Sequence, residues 1–258
     1  MSLTDKLIER VRRYSQAFGF PLHEPSIEPF VAKAEDVPEV ERCSTAMHRS
    51  FYENTDFAVH KWRNYLGVYD RHLSRYRGSH ARILEIGVFR GGSLAMWRRY
   101  FGEKALIFGI DIDPSCSRFD GKDGQVRIGS QADSCFLRNV VEEMGGVDVV
   151  IDDGSHVAGH QRASFETIFP LVDDHGIYIC EDTHTAYWRG HFEGGYRRRS
   201  NFVETTKRLV DDLYVDFHGK KQSVANAHRS ILSISFYNSM VVIEKSPQPP
   251  MMAILVNG

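Results

Sequence analysis

Two short runs carry the chemistry open to this sequence: Asp152-Asp153-Gly154-Ser155-His156 and Glu181-Asp182. Each follows an apolar run that reads as a buried strand, at 147–151 and 176–180. If those strands are neighbours, three or four carboxylates converge at one end of a sheet. Clustered carboxylates repel and raise one another's pKa unless a cation neutralises them, and a hard divalent ion, Mg²⁺ above all, answers that need. Adjacent residues on a strand face opposite ways, so one of Asp152 and Asp153 is the expected ligand. His156 follows closely and suits either a ligand or a general base. His156 and His160 have the spacing of a zinc pair, but no Glu follows the first His as H-E-x-x-H demands, and oxygen donors favour Mg²⁺. The structural alternative is helix capping with ion pairs to Arg162 or Arg189.

A second constellation lies upstream, in Leu84-Glu85-Ile86-Gly87-Val88-Phe89-Arg90-Gly91-Gly92-Ser93. It reads as strand, glycine turn and helix N-terminus, an arrangement that lets a ligand approach backbone N–H groups. It is not the G-x-G-x-x-G of dinucleotide enzymes, and no Lys follows the glycines as in a P-loop. The E-x-G-x-x-x-G spacing resembles the first motif of class I S-adenosylmethionine methyltransferases. Glu85, Gly87, Gly91 and Ser93 are then cofactor-binding candidates. Asp111 ends the next predicted strand, where an acid accepts both ribose hydroxyls of a nucleoside; Asp113 competes for that role. Gln131 and Asp133 follow the third strand, where an adenine edge would lie. Tyr187, Trp188 and Arg189, with the loop at 194–199, follow the second acidic run. They are candidates to contact an acceptor, the aromatic pair offering an apolar face to a sugar.

The elements that must position these groups alternate strand and helix from residue 83 to about 213, which implies an α/β, mostly parallel sheet with helices on both faces. Runs at 231–236 and 240–243 read as a closing antiparallel pair. Upstream, Leu7, Val11, Tyr14 and Phe18 have helical spacing, prolines at 21, 25 and 29 interrupt, and a short helix starts near Pro38. Trp62, Tyr65, Leu66, Tyr69, Leu73 and Tyr76 form an aromatic stripe on a helix expected over 55–76. Residues 1–78 are therefore expected to be a helical extension and 79–258 the catalytic domain.

Net charge −2 in 258 residues gives no electrostatic case for nucleic acid or an anionic membrane surface. No apolar run is long enough to span a bilayer, and charges among the first ten residues argue against a signal peptide. The four cysteines form no CxxC pair, so a reduced, cytoplasmic setting is expected. The aromatic-rich N-terminal helices suggest a homo-oligomer.

Taken together, Leu84–Ser93, Gly109-Ile110-Asp111-Ile112-Asp113, Ile151–His156, and Glu181-Asp182-Thr183 with Tyr187-Trp188 resemble the macrocin/mycinamicin type of metal-dependent sugar O-methyltransferase. The resemblance implies a class I methyltransferase fold, S-adenosylmethionine as donor, and Mg²⁺ held by Asp153, Glu181 and Asp182. It also implies His156 as the base and a carbohydrate or glycosylated small molecule as acceptor. The Asp-Asp-Gly-Ser-His pattern also resembles cephalosporin-hydroxylase-type proteins, one alternative reading. A second is an NAD-dependent oxidoreductase on a similar sheet.

Overall fold

The computed structural model describes residues 33–55, 57–218 and 229–256. The helix expected over 7–18 lies outside them. A four-residue helix, Glu39–Arg42, starts after Pro38 as the proline suggests. Thr45 then caps α1 (Ala46–Tyr52) by accepting from His48 N. The elements that follow are α2 (Arg63–Leu73), β1 (Arg82–Ile86), α3 (Gly92–Phe101), β2 (Leu106–Asp111), β3 (Gln125–Ile128) and α4 (Ser134–Glu143). After these come β4 (Val147–Asp152), α5 (Ala158–Ile168), β5 (Val172–Cys180), α6 (Phe202–Leu213), β6 (Ile231–Tyr237) and β7 (Met240–Lys245).

The seven strands form one sheet in the order β3-β2-β1-β4-β5-β7-β6. The first five are parallel; β7 runs antiparallel to β5 and to β6. The antiparallel pair expected at the end is present, with β7 inserted between β5 and β6. Chain order reverses beside β1, which has β2 on one side and β4 on the other. Open α/β sheets bind ligands in the crevice at such a switch point.

The sheet is buried on both faces, so the strands read as continuous apolar runs. Alternate residues serve opposite cores. Ile83, Val149, Ile151, Ile177 and Ile179 pack with Tyr65, Tyr69, Trp97 and Phe101 from α2 and α3. Leu84, Val150, Tyr178 and Ile243 pack with Leu137, Phe165, Phe202 and Leu209 from α4, α5 and α6. The aromatic stripe of α2 is thus core, as its spacing predicts. It also means that the described part of the expected extension shares the core of the sheet. The described residues from Lys33 onward cluster as one compact unit.

One element differs in a way that matters. The helix expected over 55–76 starts only at Arg63, with Trp62 at its N-cap. Residues 57–62 are irregular instead. Their course is fixed by tertiary contact: the Phe57 and Ala58 carbonyls sit so close to Gly92 that a Cβ there would lie 2.5 and 2.4 Å from them. A helix over 55–62 would forgo that docking against the N-terminus of α3.

Candidate active site

The parallel strands end in one row. Gly87 N donates to Ile110 O at 2.8 Å, Asp153 N to Ile86 O at 2.9 Å, and Glu181 N to Asp152 O at 2.9 Å. These bonds extend the ladders of β1, β2, β4 and β5 past their last residues. They bring the glycine turn, Asp111, the 152–156 run and the 181–182 run around one cleft of about 350 Å³, within the range of small-molecule sites. Gly87 is essential to the closeness. Its φ is +98°, and a Cβ there would lie 2.1 Å from the Asp153 carbonyl oxygen. Phe89, His156 and Asp182 line the cleft with φ of 49°, 57° and 51°, a left-handed backbone that non-glycine residues adopt at a cost.

The two adjacent aspartates separate as strand alternation requires. Asp152 is fully buried and accepts from Ser164 Oγ at 2.6 Å, Tyr178 OH at 2.7 Å and Gln131 Nε2 at 3.1 Å. Burial raises its pKa despite those bonds. Asp153 faces the cleft. Its Oδ2 accepts from Lys61 Nζ at 2.6 Å, and its Oδ1 lies 3.8 Å from His156 Nε2. Asp182 is held in the same manner. Its Oδ1 accepts from Trp62 Nε1 at 2.8 Å and lies 2.7 Å from the Tyr65 hydroxyl, while its Oδ2 lies 3.6 Å from His156 Nε2. Each aspartate therefore has one oxygen tied to the protein and one turned toward the histidine. Ligand atoms of Asp153, His156 and Asp182 lie within 4.8 Å of one another.

Glu181 is placed differently. It is 1% exposed, and its two oxygens lie 2.9 and 3.0 Å from Lys61 Nζ. Burial and the nearby Asp153 raise its pKa. Burial opposes the Lys61 charge, but Asp153, Glu181 and Glu85 outweigh it and hold the ammonium above the usual lysine range. Lys61 supplies one positive charge to these carboxyl groups. The oxygens it leaves untied, Asp153 Oδ1 and Asp182 Oδ2, face the cleft and fit a hard divalent cation.

The cofactor candidates divide. Gly87, Asp111 and Gln131 line the cleft. Asp111 Oδ2 accepts from Val88 N and Phe89 N at 3.0 and 2.9 Å, and its Oδ1 from Asp113 N at 2.9 Å, so it also shapes the glycine turn. Gln131 bridges Asp152 to Ser155 N, which its Oε1 accepts at 2.6 Å; its amide is committed to the wall. Glu85, Gly91, Ser93 and Asp133 are not in the lining. Glu85 is fully buried behind the cleft, accepting from Ser93 Oγ and Trp97 Nε1, both at 2.8 Å. Burial pushes its carboxyl up to about 7, against the pull of Lys61 and of those two bonds. Gly91 is the left-handed N-cap of α3, and Asp133 caps α4 by accepting from Cys135 N and Phe136 N. The acceptor candidates Tyr187, Trp188 and Arg189 also stand outside the lining. The ring of Trp188 packs edge-on against His184, which also meets Trp62 of the cleft wall edge-on. An aromatic arc thus leads from the cleft toward the 187–189 segment.

Residues 84–183 match a family described as a methyltransferase domain. The chain is 37% identical over 195 residues to the 8-demethyl-8-(2-methoxy-alpha-L-rhamnosyl)-tetracenomycin-C 3'-O-methyltransferase of Streptomyces olivaceus, covering 71% of this chain and 50% of that protein. It is 35% identical over 190 residues to the demethylmacrocin O-methyltransferase of Streptomyces fradiae, covering 69% and 47%. Its structure aligns with that of the MycE methyltransferase of mycinamycin biosynthesis, solved with Mg, SAH and mycinamycin VI. The TM-score is 0.67 at 32% identity, over 81% of this chain and 54% of the other. The chain carries a methyltransferase domain and is similar to the macrocin/mycinamicin type of methyltransferase. It spans about half the length of the relatives it matches.

Sequence reasoning missed Phe89 and Ile112, which line the cleft, and one whole segment: His60, Lys61 and Trp62 line it too, and Tyr65 stands behind it. The signal available was Lys61, a charge directly before Trp62, the first residue of the aromatic stripe. Assigning 55–76 to a single helix hid it, because the stripe explained the neighbouring residues as core.

Proposed function

We propose that this chain transfers the methyl group of S-adenosylmethionine to a hydroxyl of a sugar on a glycosylated small molecule, with Mg²⁺ assistance. The observation that carries the reading is the pair of outward aspartate oxygens, Asp153 Oδ1 and Asp182 Oδ2, lying 3.8 and 3.6 Å from His156 Nε2 in the cleft that also holds Asp111. Relatives named as sugar-pathway O-methyltransferases, and a structural relative solved with Mg and SAH, support the same chemistry.

On this reading Asp111 receives the ribose hydroxyls; a carboxylate has about four acceptor sites, and three backbone N–H groups leave room for more. Phe89 and Ile112, both exposed and in the lining, offer the cofactor apolar surface. S-adenosylmethionine, when bound, supplies an electrophilic methyl whose departure turns a sulfonium into a neutral thioether. Mg²⁺, when bound, supplies a Lewis acid that makes a sugar hydroxyl acidic near neutral pH. Asp153 and Asp182 would hold it through their outward oxygens, with Glu181 buried beside them. His156 takes the hydroxyl proton at Nε2, and the flanking carboxylates stabilise the charge it gains. His156 Nδ1 is buried without a hydrogen-bond partner, so nothing on that side pins the other tautomer. Most of the acceleration comes from aligning donor and acceptor in one cleft.

The test is transfer of labelled methyl from S-adenosylmethionine to glycosylated macrolides, with EDTA and with Mg²⁺ restored. Transfer is expected only with the metal. Undiminished transfer in excess EDTA overturns the metal, and failure to bind S-adenosylhomocysteine overturns the whole reading.

A further inference from the structure

We infer that Lys61 is the built-in counter-ion of the acidic cluster: it holds Asp153 and Glu181 together and competes with a divalent cation for them. This deepens the metal-assisted reading above and rests on it.

The Lys61 side chain is 2% exposed, and its ammonium lies 2.6 Å from Asp153 and 2.9 Å from Glu181. No nearer role explains a charge buried so deeply. Trp97 lies on one side, its ring centre 6.0 Å from the nitrogen, and Glu85 lies behind. Burying an ammonium is costly unless it is paired, and burying two carboxylates together is costly unless a cation intervenes. Lys61 meets both conditions at once, so the folded chain tolerates Glu181 and Asp153 side by side with no metal. The same segment secures the second aspartate, since Trp62 and Tyr65 hold Asp182 Oδ1. A stretch outside the sheet thus presets both aspartates. The position that satisfies Asp153 and Glu181 is, however, the one from which a divalent ion would draw its charge. Lys61 and the ion repel, and each lowers the other's hold on the carboxylates.

Lys61→Met, Lys61→Arg and the natural protein are compared by Mg²⁺ titration calorimetry and by melting with EDTA or with saturating Mg²⁺. Neither measurement needs turnover. Lys61→Met is expected to bind Mg²⁺ at least tenfold more tightly, to melt lower in EDTA, and to gain more from Mg²⁺ than the natural protein does. Lys61→Arg, which keeps the charge, is expected to stay within a few-fold of the natural affinity. An unchanged or weaker affinity in folded Lys61→Met overturns the competition, as does a loss of melting temperature equal in EDTA and Mg²⁺, the mark of a purely structural lysine. A variant unfolded at every Mg²⁺ concentration overturns it too. Absence of Mg²⁺ binding by the natural protein defeats the metal reading itself, a failure distinct from these.

Discussion

Glu85 and His156 show how two polar residues near one cleft take different work. Glu85 sits behind the wall, where its carboxylate ties Ser93 and Trp97 of α3 to the end of β1. Its folded pKa is about 7 against an ordinary 4.5, raised by burial. The folded state therefore holds the proton more tightly than the unfolded state does. The resulting stability is full below about pH 4.5 and is lost as pH rises to about 7, a span on the order of 3 kcal/mol. Glu85→Gln can accept from Trp97 and donate to Ser93 Oγ without ionising. Melting curves between pH 4.5 and 8 should show that the variant lacks this fall; an identical fall in both proteins would remove Glu85 as its source. His156 faces the cleft instead. His156→Ala should cut kcat by about 10²–10⁴-fold, the usual worth of a general base. Calorimetry should find its Mg²⁺ affinity little changed, whereas a large loss would make the histidine a ligand.

At the level of elements, the approach to α2 is what completes the site. Strands β4 and β5 deliver Asp153 and Asp182, but their inner oxygens are aimed by Lys61, Trp62 and Tyr65. Tyr65 OH also lies 2.8 Å from Ser239 O in the β6–β7 turn and accepts from Asp182 N at 3.1 Å. One hydroxyl joins the helix, the left-handed residue and the antiparallel pair. Tyr65→Phe keeps the ring in its core position and removes only that hydroxyl. It should cost about 1–3 kcal/mol in denaturant melts, because buried polar groups lose their partner. It should also raise the Mg²⁺ concentration needed for half-maximal transfer. Normal stability and normal Mg²⁺ dependence together would show that Asp182 is held without it.

On the scale of the whole molecule, the described N-terminal residues are part of the sheet's covering layer. Met47, Tyr65, Leu66, Tyr69 and Leu73 are at most 1% exposed and lie over the face carrying Ile83, Val149 and Ile177. A chain begun at residue 79 would bare that face and lose Lys61. It is expected to be insoluble or to lack the near-ultraviolet dichroism of fixed aromatic rings that the natural protein shows. A cooperative melt of the 79–258 chain would show that the sheet stands without its cover. No described helix is long and apolar enough to cross a membrane.

What the sequence alone determined were the parts with local causes. Apolar runs bounded by glycine and acidic turns marked all five parallel strands, and the E-x-G-x-x-x-G turn, Asp111, Asp153, His156 and Asp182 were legible at their ends. Strand alternation required Asp152 and Asp153 to face apart, the family resemblance singled out Asp153, and packing turns that one into the cleft. Tertiary structure alone decided the rest. The insertion of β7 between β5 and β6 depends on a non-local pairing that no short pattern encodes. Glu85 and Ser93 carry motif positions yet lie behind the cleft, because the side chains of β1 alternate and α3 folds back over one of them. Lys61 was invisible for the same kind of reason. Its meaning comes from two carboxylates 92 and 120 residues away, which reach it only once β4 and β5 lie side by side.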